Sequence, residues 1–498
     1  MNPAGWRFPA EFLWGAATSA YQVEGSPLAD GAGPSNWHRF THEPGRTARG
    51  DTGNVACDHY RRWGEDVALM RALELQAYRF SIAWSRIQPE GRGPANAPGL
   101  DFYDRLVDAL LGAGVQPFVT LFHWDLPAAL EDRGGWAHRD SAGWFADYAE
   151  IVCRRLGDRV RYWATLNEPW VIVDAGYVHG VHPPGRRDLA AAAQAAHNLL
   201  RAHGLAVQAY RALGAAERAG GAGRIGIVVN LEPKDPASDL EEDLAATARA
   251  DAYMNRHYLD PLFLGRYPDE LAGIYGAAWP QHPPADFGLI QEPIDFLGVN
   301  YYTRSLTRHD PAGVPERAAK VRVDDAEYTL MNWEVHPASL TRVLRWVKER
   351  YGDRPVYITE NGAAFADPTP GSRAAAIPGR RGGSTGDDAG GGSAAGSDDG
   401  SGGHEGAATR WGKADPLPDP RREAYLRAHI AAVGEAMRAG VDVQGYFVWS
   451  LLDNFEWAEG YAKRLGIVYV DHATQERILK RSAVYYRNVI RSRASDPD

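Results

Sequence analysis

The chain has 498 residues, of which 44% are hydrophobic and 24% charged, a composition typical of a globular protein with a large core. Its net charge of −10 argues against nucleic acid as a partner, because nucleic-acid binding requires clustered Lys and Arg. Residues 1–25 lack the regions of a signal peptide and no apolar run reaches the length of a membrane span, so we expect no membrane partner.

Short apolar runs rich in β-branched and aromatic residues alternate with amphipathic stretches along the chain. The runs predict strands at Phe12–Ala20, Ala77–Ile82, Gln116–His123, Tyr162–Glu168, Arg224–Asn230, Phe296–Tyr302, Val356–Glu360 and Gln444–Leu451. The stretches between them predict helices at Asp58–Leu75, Leu100–Ala113, Ala142–Leu156, Ala190–Leu213, Ala338–Tyr351 and Arg421–Ala439. This alternation predicts an α/β fold with a parallel sheet, closed as a single (β/α)8 TIM barrel.

One segment breaks this alternation. Residues 367–410 contain no aromatic residue and one large aliphatic residue, Ile377. A stretch so rich in Gly, Ser and Asp buries too little apolar surface to offset the entropy lost on ordering it. Because the barrel pattern resumes afterwards, we interpret the segment as a flexible, disordered insertion within one catalytic domain that spans residues 1–498.

The chain has two cysteines, Cys57 and Cys153, and no Cys/His spacing typical of zinc. Sparse cysteine fits free thiols in a reducing compartment, so we expect a cytoplasmic protein. No pattern of His, Asp and Glu requires a metal, and we expect no cofactor. The oligomeric state is not indicated by the sequence.

Polar residues stand at the ends of several predicted strands. In a (β/α)8 barrel these ends meet at the face that carries the active site. Two of the residues are carboxylates, Glu168 in Thr165–Pro169 and Glu360 in Ile358–Gly362. Glycoside hydrolysis uses such a pair, one to protonate the leaving oxygen and one to attack the anomeric carbon or activate water.

Seven segments together resemble glycoside hydrolase family 1, the β-glucosidase family. They are Phe12–Gly25, Tyr78–Ile82, Phe122–Asp125, Thr165–Pro169, Asn300–Thr303, Ile358–Gly362 and Trp449–Trp457. The resemblance extends from about Phe8 to about Arg491, apart from the insertion. It implies a retaining β-glucosidase that acts on small β-glucosides and oligosaccharides, and also on β-galactosides and β-fucosides.

The resemblance implies a role for each residue that matches a family motif. Glu168 matches the general acid/base and Glu360 the nucleophile, with Arg79 and Tyr302 contacting the nucleophile. The residues implied to bind the substrate are Gln22, His123, Trp124, Asn167, Asn300, Tyr302, Trp333, Trp449, Glu456 and Trp457. Of these, Trp449 would stack under the nonreducing-end sugar and Trp333 would form the platform of the leaving-group subsite.

Structural explanations remain open for several of these residues. Trp124, Trp449 and Trp457 could be core aromatics, Arg79 could pair with any buried acid, and His123 could be a core histidine whose hydrogen bonds are satisfied.

Three other functions compete with a β-glucosidase. A 6-phospho-β-glycosidase places cationic and hydroxyl groups where this chain has Glu456. A thioglucosidase typically lacks the acid, and a noncatalytic sugar-binding relative usually loses a catalytic Glu, whereas Glu168 and Glu360 are both present. One further departure is Leu465, where family members commonly have Phe, and this predicts a looser sugar pocket.

Overall fold

The computed structural model describes residues 6–368 and 415–496. Within these residues eight parallel strands form a closed barrel, in which each strand pairs with the next along the chain and the last pairs with the first. The strands are β1 Leu13–Ala17, β2 Ala77–Ser81, β3 Gln116–Phe122, β4 Tyr162–Asn167, β5 Arg224–Asn230, β6 Phe296–Asn300, β7 Val356–Asn361 and β8 Val443–Trp449. The (β/α)8 prediction and its eight strands are therefore confirmed.

Helices follow the strands, and the six predicted helices are present, each within three residues of its predicted bounds. The longer helices are His59–Ala72, Ala97–Gly112, Ser141–Leu156, Leu189–Ala212, Glu241–Asp251, His257–Leu264, Pro337–Tyr351, Pro420–Arg438 and Arg481–Ser492. Short helices include Ala20–Val23, Asn36–Thr41, Trp84–Ile87, Ala128–Glu131, Pro169–Val173, Ala215–Arg218, Glu270–Tyr275 and Pro284–Ile290. No helix in the described part of the chain is long and apolar enough to cross a bilayer.

The barrel strands are buried on both faces, which explains their continuous apolar character. In β2, Tyr78 and Phe80 belong to the large core cluster that includes residues of the helices. Ala77 belongs to a separate cluster with Phe118 and other residues of the barrel interior. Since side chains alternate along a strand, Arg79 shares the inner face with Ala77.

The loops that follow the strands form two small sheets beside the barrel. Strands Lys234–Pro236, Ser305–His309 and Ala318–Val321 form one, and Val468–Val470 pairs with Arg477–Leu479 in the other. Both sheets extend the loops at the carboxyl ends of the barrel strands, where the predicted site residues also lie.

Strand β1 ends at Ala17, three residues before the predicted end. The Ser81 hydroxyl accepts a hydrogen bond of 2.8 Å from the Ala20 backbone N–H, and the short helix Ala20–Val23 begins there. The chain thus turns at the barrel mouth, and the turn places Gln22 beside the segment that follows β8.

The predicted insertion, residues 367–410, lies outside the described residues except for its first two positions. Asp367 is an exception to that prediction, because its side chain is 0% exposed and its carboxylate lies 2.7 Å from Arg422. A buried carboxylate is retained where cations pair with it. The chain up to Asp367 therefore belongs to the packed structure, and the predicted boundary is wrong at this residue.

Replacement of residues 371–408 by a short Gly-Ser linker is expected to leave the melting temperature nearly unchanged. The composition of this segment provides almost no apolar surface, and loop-closure entropy grows only logarithmically with length. Asp367 and Asp419 remain in the variant, so the ion pairs of both flanks are kept. Thermal melts and aryl β-glucosidase activity check this. A fall of many degrees, or loss of activity, would contradict the interpretation of the segment.

Candidate active site

The two candidate carboxylates lie at the carboxyl ends of β4 and β7. Glu168 directly follows β4 with a left-handed backbone, φ 46°, and its N–H donates to the Val228 carbonyl at 2.9 Å. A positive φ is uncommon for a residue with a side chain and often marks a functional position. Glu360 lies at an irregularity in the pairing of β7 with β6, and its carbonyl accepts a hydrogen bond of 3.0 Å from the Tyr301 N–H.

The Glu360 carboxylate is held by two donors. Arg79 donates from Nη1 to Oε1 at 2.6 Å, and the Tyr302 hydroxyl donates to Oε2 at 2.7 Å. Burial raises the pKa of Glu360, while the Arg79 charge and the Tyr302 hydrogen bond oppose that rise. The predicted pairing of Arg79 and Tyr302 with this residue is present, and it stabilises an ionised carboxylate with both oxygens fixed.

The Glu168 carboxyl group has a different environment. Its Oε1 accepts a hydrogen bond of 2.7 Å from Asn300 Nδ2, and no cation contacts it in the described part of the chain. Burial, and then the negative charge of Glu360, raise the pKa of Glu168 well above its ordinary value. Burial raises the pKa of both carboxyl groups, but the direct contacts of Arg79 and Tyr302 oppose the rise at Glu360, so Glu168 is the one that more readily holds a proton.

Arg79 also connects the nucleophile candidate to Asn167 and His123. Its Nη2 donates to Asn167 Oδ1 at 2.6 Å, so Asn167 presents its amide nitrogen to His123 Nε2 at 3.1 Å. Burial and the Arg79 charge lower the pKa of His123 well below its ordinary value, so the ring is neutral. Since Nε2 accepts, the proton is on Nδ1, which is buried and has no hydrogen-bond partner among the described residues. His123 is therefore not a satisfied core histidine.

Gln22 and Glu456 form the second polar group of the site. Gln22 Nε2 lies 3.3 Å from Glu456 Oε2 and 2.9 Å from the Phe455 carbonyl, and its Oε1 accepts from Ser19 at 2.7 Å. Burial, followed by the charge of Glu360, raises the pKa of Glu456 to about 8. Gln22 is thus held at both ends of its amide and orients the Glu456 carboxyl group.

Aromatic rings surround these polar groups. Trp124 packs on Trp457 with ring centroids 4.6 Å apart, and His123 stacks on Trp449 at 5.7 Å. The Trp124 indole N–H donates to the Asn167 carbonyl at 3.0 Å, which leaves its ring rather than its N–H for a ligand. Trp124 therefore offers a packing surface to a ligand, because its single donor is already used within the protein.

Trp333 packs on Tyr302, the hydroxyl donor to Glu360, with ring centroids 4.8 Å apart. Trp333 is partly exposed, as expected for a platform at the entrance of a cleft. Leu465 is 2% exposed and belongs to the same apolar cluster as Trp449, so the smaller side chain is accommodated by close packing.

Several supporting residues were not singled out from the sequence. Thr359 donates to Asn300 Oδ1 at 2.7 Å, and Thr120 accepts from Arg79 Nε at 3.1 Å. A Cβ on Gly362 would lie 1.7 Å from the Trp449 carbonyl oxygen, so only glycine fits there. Thr359 and Gly362 stand in the same short motif as Glu360, and that position is the signal that could have identified them.

A sequence model described as Glycosyl hydrolase family 1 matches residues 5–373 and 403–495. Beta-glucosidase A of Thermotoga maritima is 46% identical over 487 residues, which cover 98% of this chain and 98% of that protein. A 1,4-beta-D-glucan glucohydrolase of Thermotoga neapolitana is 45% identical, with coverage of 98% and 98%.

Solved structures of the family 1 b-glucosidase from Thermotoga maritima are similar to this chain with a TM-score of 0.85 at 45% identity, covering 98% of this chain and 99% of theirs. The same enzyme has been solved in complex with castanospermine, TM-score 0.85, and with galacto-hydroximolactam, TM-score 0.84. The gap between the two matched ranges, residues 374–402, lies inside the predicted insertion.

Proposed function

Because the chain belongs to glycosyl hydrolase family 1, we propose that it releases terminal nonreducing β-D-glucosyl residues, with Glu360 as nucleophile and Glu168 as general acid/base. The chain is a glycoside hydrolase, and its relatives named beta-glucosidase align along nearly its whole length. The observation that carries the residue roles is the contrast between the carboxyl groups, one bound to Arg79 and one without a cation.

The proposed reaction is a double displacement. Glu360 attacks the anomeric carbon while protonated Glu168 gives its proton to the departing oxygen, and Glu168 then takes a proton from the water that releases the sugar. Loss of the Glu360 charge in the covalent intermediate removes one cause of the raised pKa of Glu168. The same residue can therefore change from acid to base between the two steps.

The remaining site residues support a sugar of the gluco or galacto type. His123 keeps an N–H donor that no described residue engages, and Glu456 offers carboxyl oxygens to the outer hydroxyls of the sugar. We propose β-glucosides, β-galactosides and β-fucosides as substrates, including short cello-oligosaccharides of the kind formed in cellulose degradation. A 6-phosphate would meet the Glu456 carboxyl group rather than a cation, so phosphorylated sugars are poor candidates.

The cellular compartment stays a proposal from the cysteines. Cys57 and Cys153 are both free and buried, and burial raises the pKa of each thiol. Neither thiol is therefore activated for chemistry, which supports our proposal of a reducing, cytoplasmic environment.

Stereochemistry tests the proposed mechanism. Proton NMR of aryl β-glucoside hydrolysis is expected to show β-glucose first, followed by slow mutarotation, because two inversions at the anomeric carbon retain configuration. Spectra are recorded within the first minutes at high enzyme concentration. The α-anomer as first product would exclude a double displacement and require that one of the carboxylates activates water instead.

A further inference from the structure

Six charged side chains, five of them buried, form a cluster beside the active site. Its members are three acids and three bases: Asp367, Asp419, Asp453, Arg422, Arg464 and Lys480. They come from the loops after β7 and β8 and from the starts of the helices Pro420–Arg438 and Arg481–Ser492. We call this group the Lys480 cluster.

Lys480 connects the two acids at the centre of the cluster. Its Nζ lies 2.6 Å from Asp367 Oδ2 and 2.7 Å from Asp453 Oδ1, and all three side chains are 0% exposed. Arg422 bonds Asp367, and Arg464 bonds Asp453 at 2.8 Å. The three acids balance the three bases, so removing the lysine charge would leave the cluster with one excess negative charge at its buried centre.

Asp453 also anchors the start of the segment that carries Glu456. Its Oδ1 accepts from the Gly466 backbone N–H at 3.0 Å, and its own N–H donates to the Val468 carbonyl at 2.9 Å. Three residues later the segment reaches Glu456. Between the two, Gln22 Nε2 holds the Phe455 carbonyl at 2.9 Å. The position of the Glu456 carboxyl group is thus set from one side by Gln22 and from the other by the Lys480 cluster.

We propose that Lys480 is a positioning residue that acts through Asp453 and sets the place of Glu456 against the outer hydroxyls of the sugar. The inference rests on the proposed role of Glu456 in sugar binding. Among the described residues Lys480 contacts neither Glu168 nor Glu360, so we expect its effect on the choice of sugar rather than on the chemistry of bond cleavage.

The test compares kcat/KM for p-nitrophenyl β-glucoside with that for the β-xyloside, which lacks the C6 hydroxymethyl group. Lys480→Met is expected to lower the glucoside/xyloside ratio by on the order of tenfold, because small displacements of a binding group cost large factors in rate. Lys480→Arg keeps the charge and is expected to restore part of the ratio. The matched control is Lys234→Met, since Lys234 is also a buried lysine, 2.6 Å from Glu232, on a different loop.

A cycle with Glu456→Ala shows whether Lys480 acts through Glu456. In the Glu456→Ala background, Lys480→Met is expected to change the ratio little, because the group that it positions is gone. Additive effects of the two substitutions on the ratio would overturn the inference. So would a folded Lys480→Met enzyme that keeps the native ratio, or an equal fall of the ratio in Lys234→Met.

Arg464→Gln covers the case in which Lys480→Met does not fold. Arg464 is 24% exposed and bonds the same Asp453, so its loss is milder and is expected to lower the ratio in the same direction. An unchanged ratio in this variant would overturn the inference. Glu456→Ala alone tests the proposed role of Glu456. If it leaves the glucoside/xyloside ratio unchanged while glucoside hydrolysis persists, both that role and the inference about Lys480 are wrong. The proposed glucosidase activity is unaffected by this outcome.

Discussion

Glu360→Ala is expected to lose hydrolysis of every β-glucoside by on the order of a millionfold, the loss seen when the nucleophile of a covalent mechanism is removed. The side chain supplies the carboxylate that attacks the anomeric carbon, and Arg79 and Tyr302 each donate a hydrogen bond to one of its oxygens. Because the missing bond cannot be replaced by a better leaving group, dinitrophenyl and alkyl β-glucosides should be affected alike.

The measurement is initial-rate kinetics on both substrates, with circular dichroism to confirm folding. The matched control is Glu232→Ala, which removes a buried carboxylate in the loop after β5 that pairs with Lys234 and Lys320 and contacts neither Glu168 nor Glu360 among the described residues. We expect the control to lose stability but keep its rate. A 2-fluoro-glucoside that traps the covalent intermediate should label native enzyme at Glu360. A label on another residue would reassign the nucleophile.

The sequence predicts the barrel well because its signals are local. Buried parallel strands appear as continuous apolar runs, and each of the eight lies within a few residues of its predicted place. The predicted ends of the strands are less accurate where a contact with another strand determines them. After β1, for example, the Ser81 hydroxyl of β2 accepts a hydrogen bond from the Ala20 N–H, and the chain turns into a short helix. No pattern within residues 12–20 contains that information.

The candidate site is predicted residue by residue, but its connections are not. The motifs name Gln22, Asn167 and Glu456, yet only the structure shows that Gln22 is bonded at both ends of its amide. The buried Lys480 has no local signal, because its partners lie 27 and 113 residues away along the chain. The composition of residues 367–410 likewise indicates a loop but not that Asp367 is bound into the packed structure.

Glu168→Ala is expected to lose hydrolytic activity to an extent that depends on the leaving group. A poor leaving group such as an alkoxide needs the proton that Glu168 supplies, so its hydrolysis should fall by roughly 10²–10⁴-fold. Dinitrophenolate leaves without a proton, so attack by Glu360 should proceed. The glycosyl-enzyme should then accumulate, and its formation should appear as an initial burst of released dinitrophenolate. Burst kinetics on the dinitrophenyl glucoside therefore separates this role from that of Glu360.

The pH dependence of kcat/KM is a second, independent test of the role of Glu168. Burial and the charge of Glu360 raise the pKa of Glu168, so the protonated acid is present below that pKa and is lost as the pH rises through it. The alkaline limb of kcat/KM for an alkyl glucoside should thus belong to Glu168 and disappear in Glu168→Ala. An alkaline limb that persists unchanged in the variant would assign it to another residue.

Azide completes the test of Glu168. With the side chain removed there is room for a small anion next to the glycosyl-enzyme, and azide needs no general base to attack it. Added azide should therefore restore turnover of the dinitrophenyl glucoside in Glu168→Ala and give a β-glucosyl azide, because the sugar has been inverted twice. The same addition should leave Glu360→Ala without a β-azide product, since that variant forms no covalent intermediate. A β-azide from Glu360→Ala, or equal losses on good and poor leaving groups in Glu168→Ala, would mean that the two roles are exchanged.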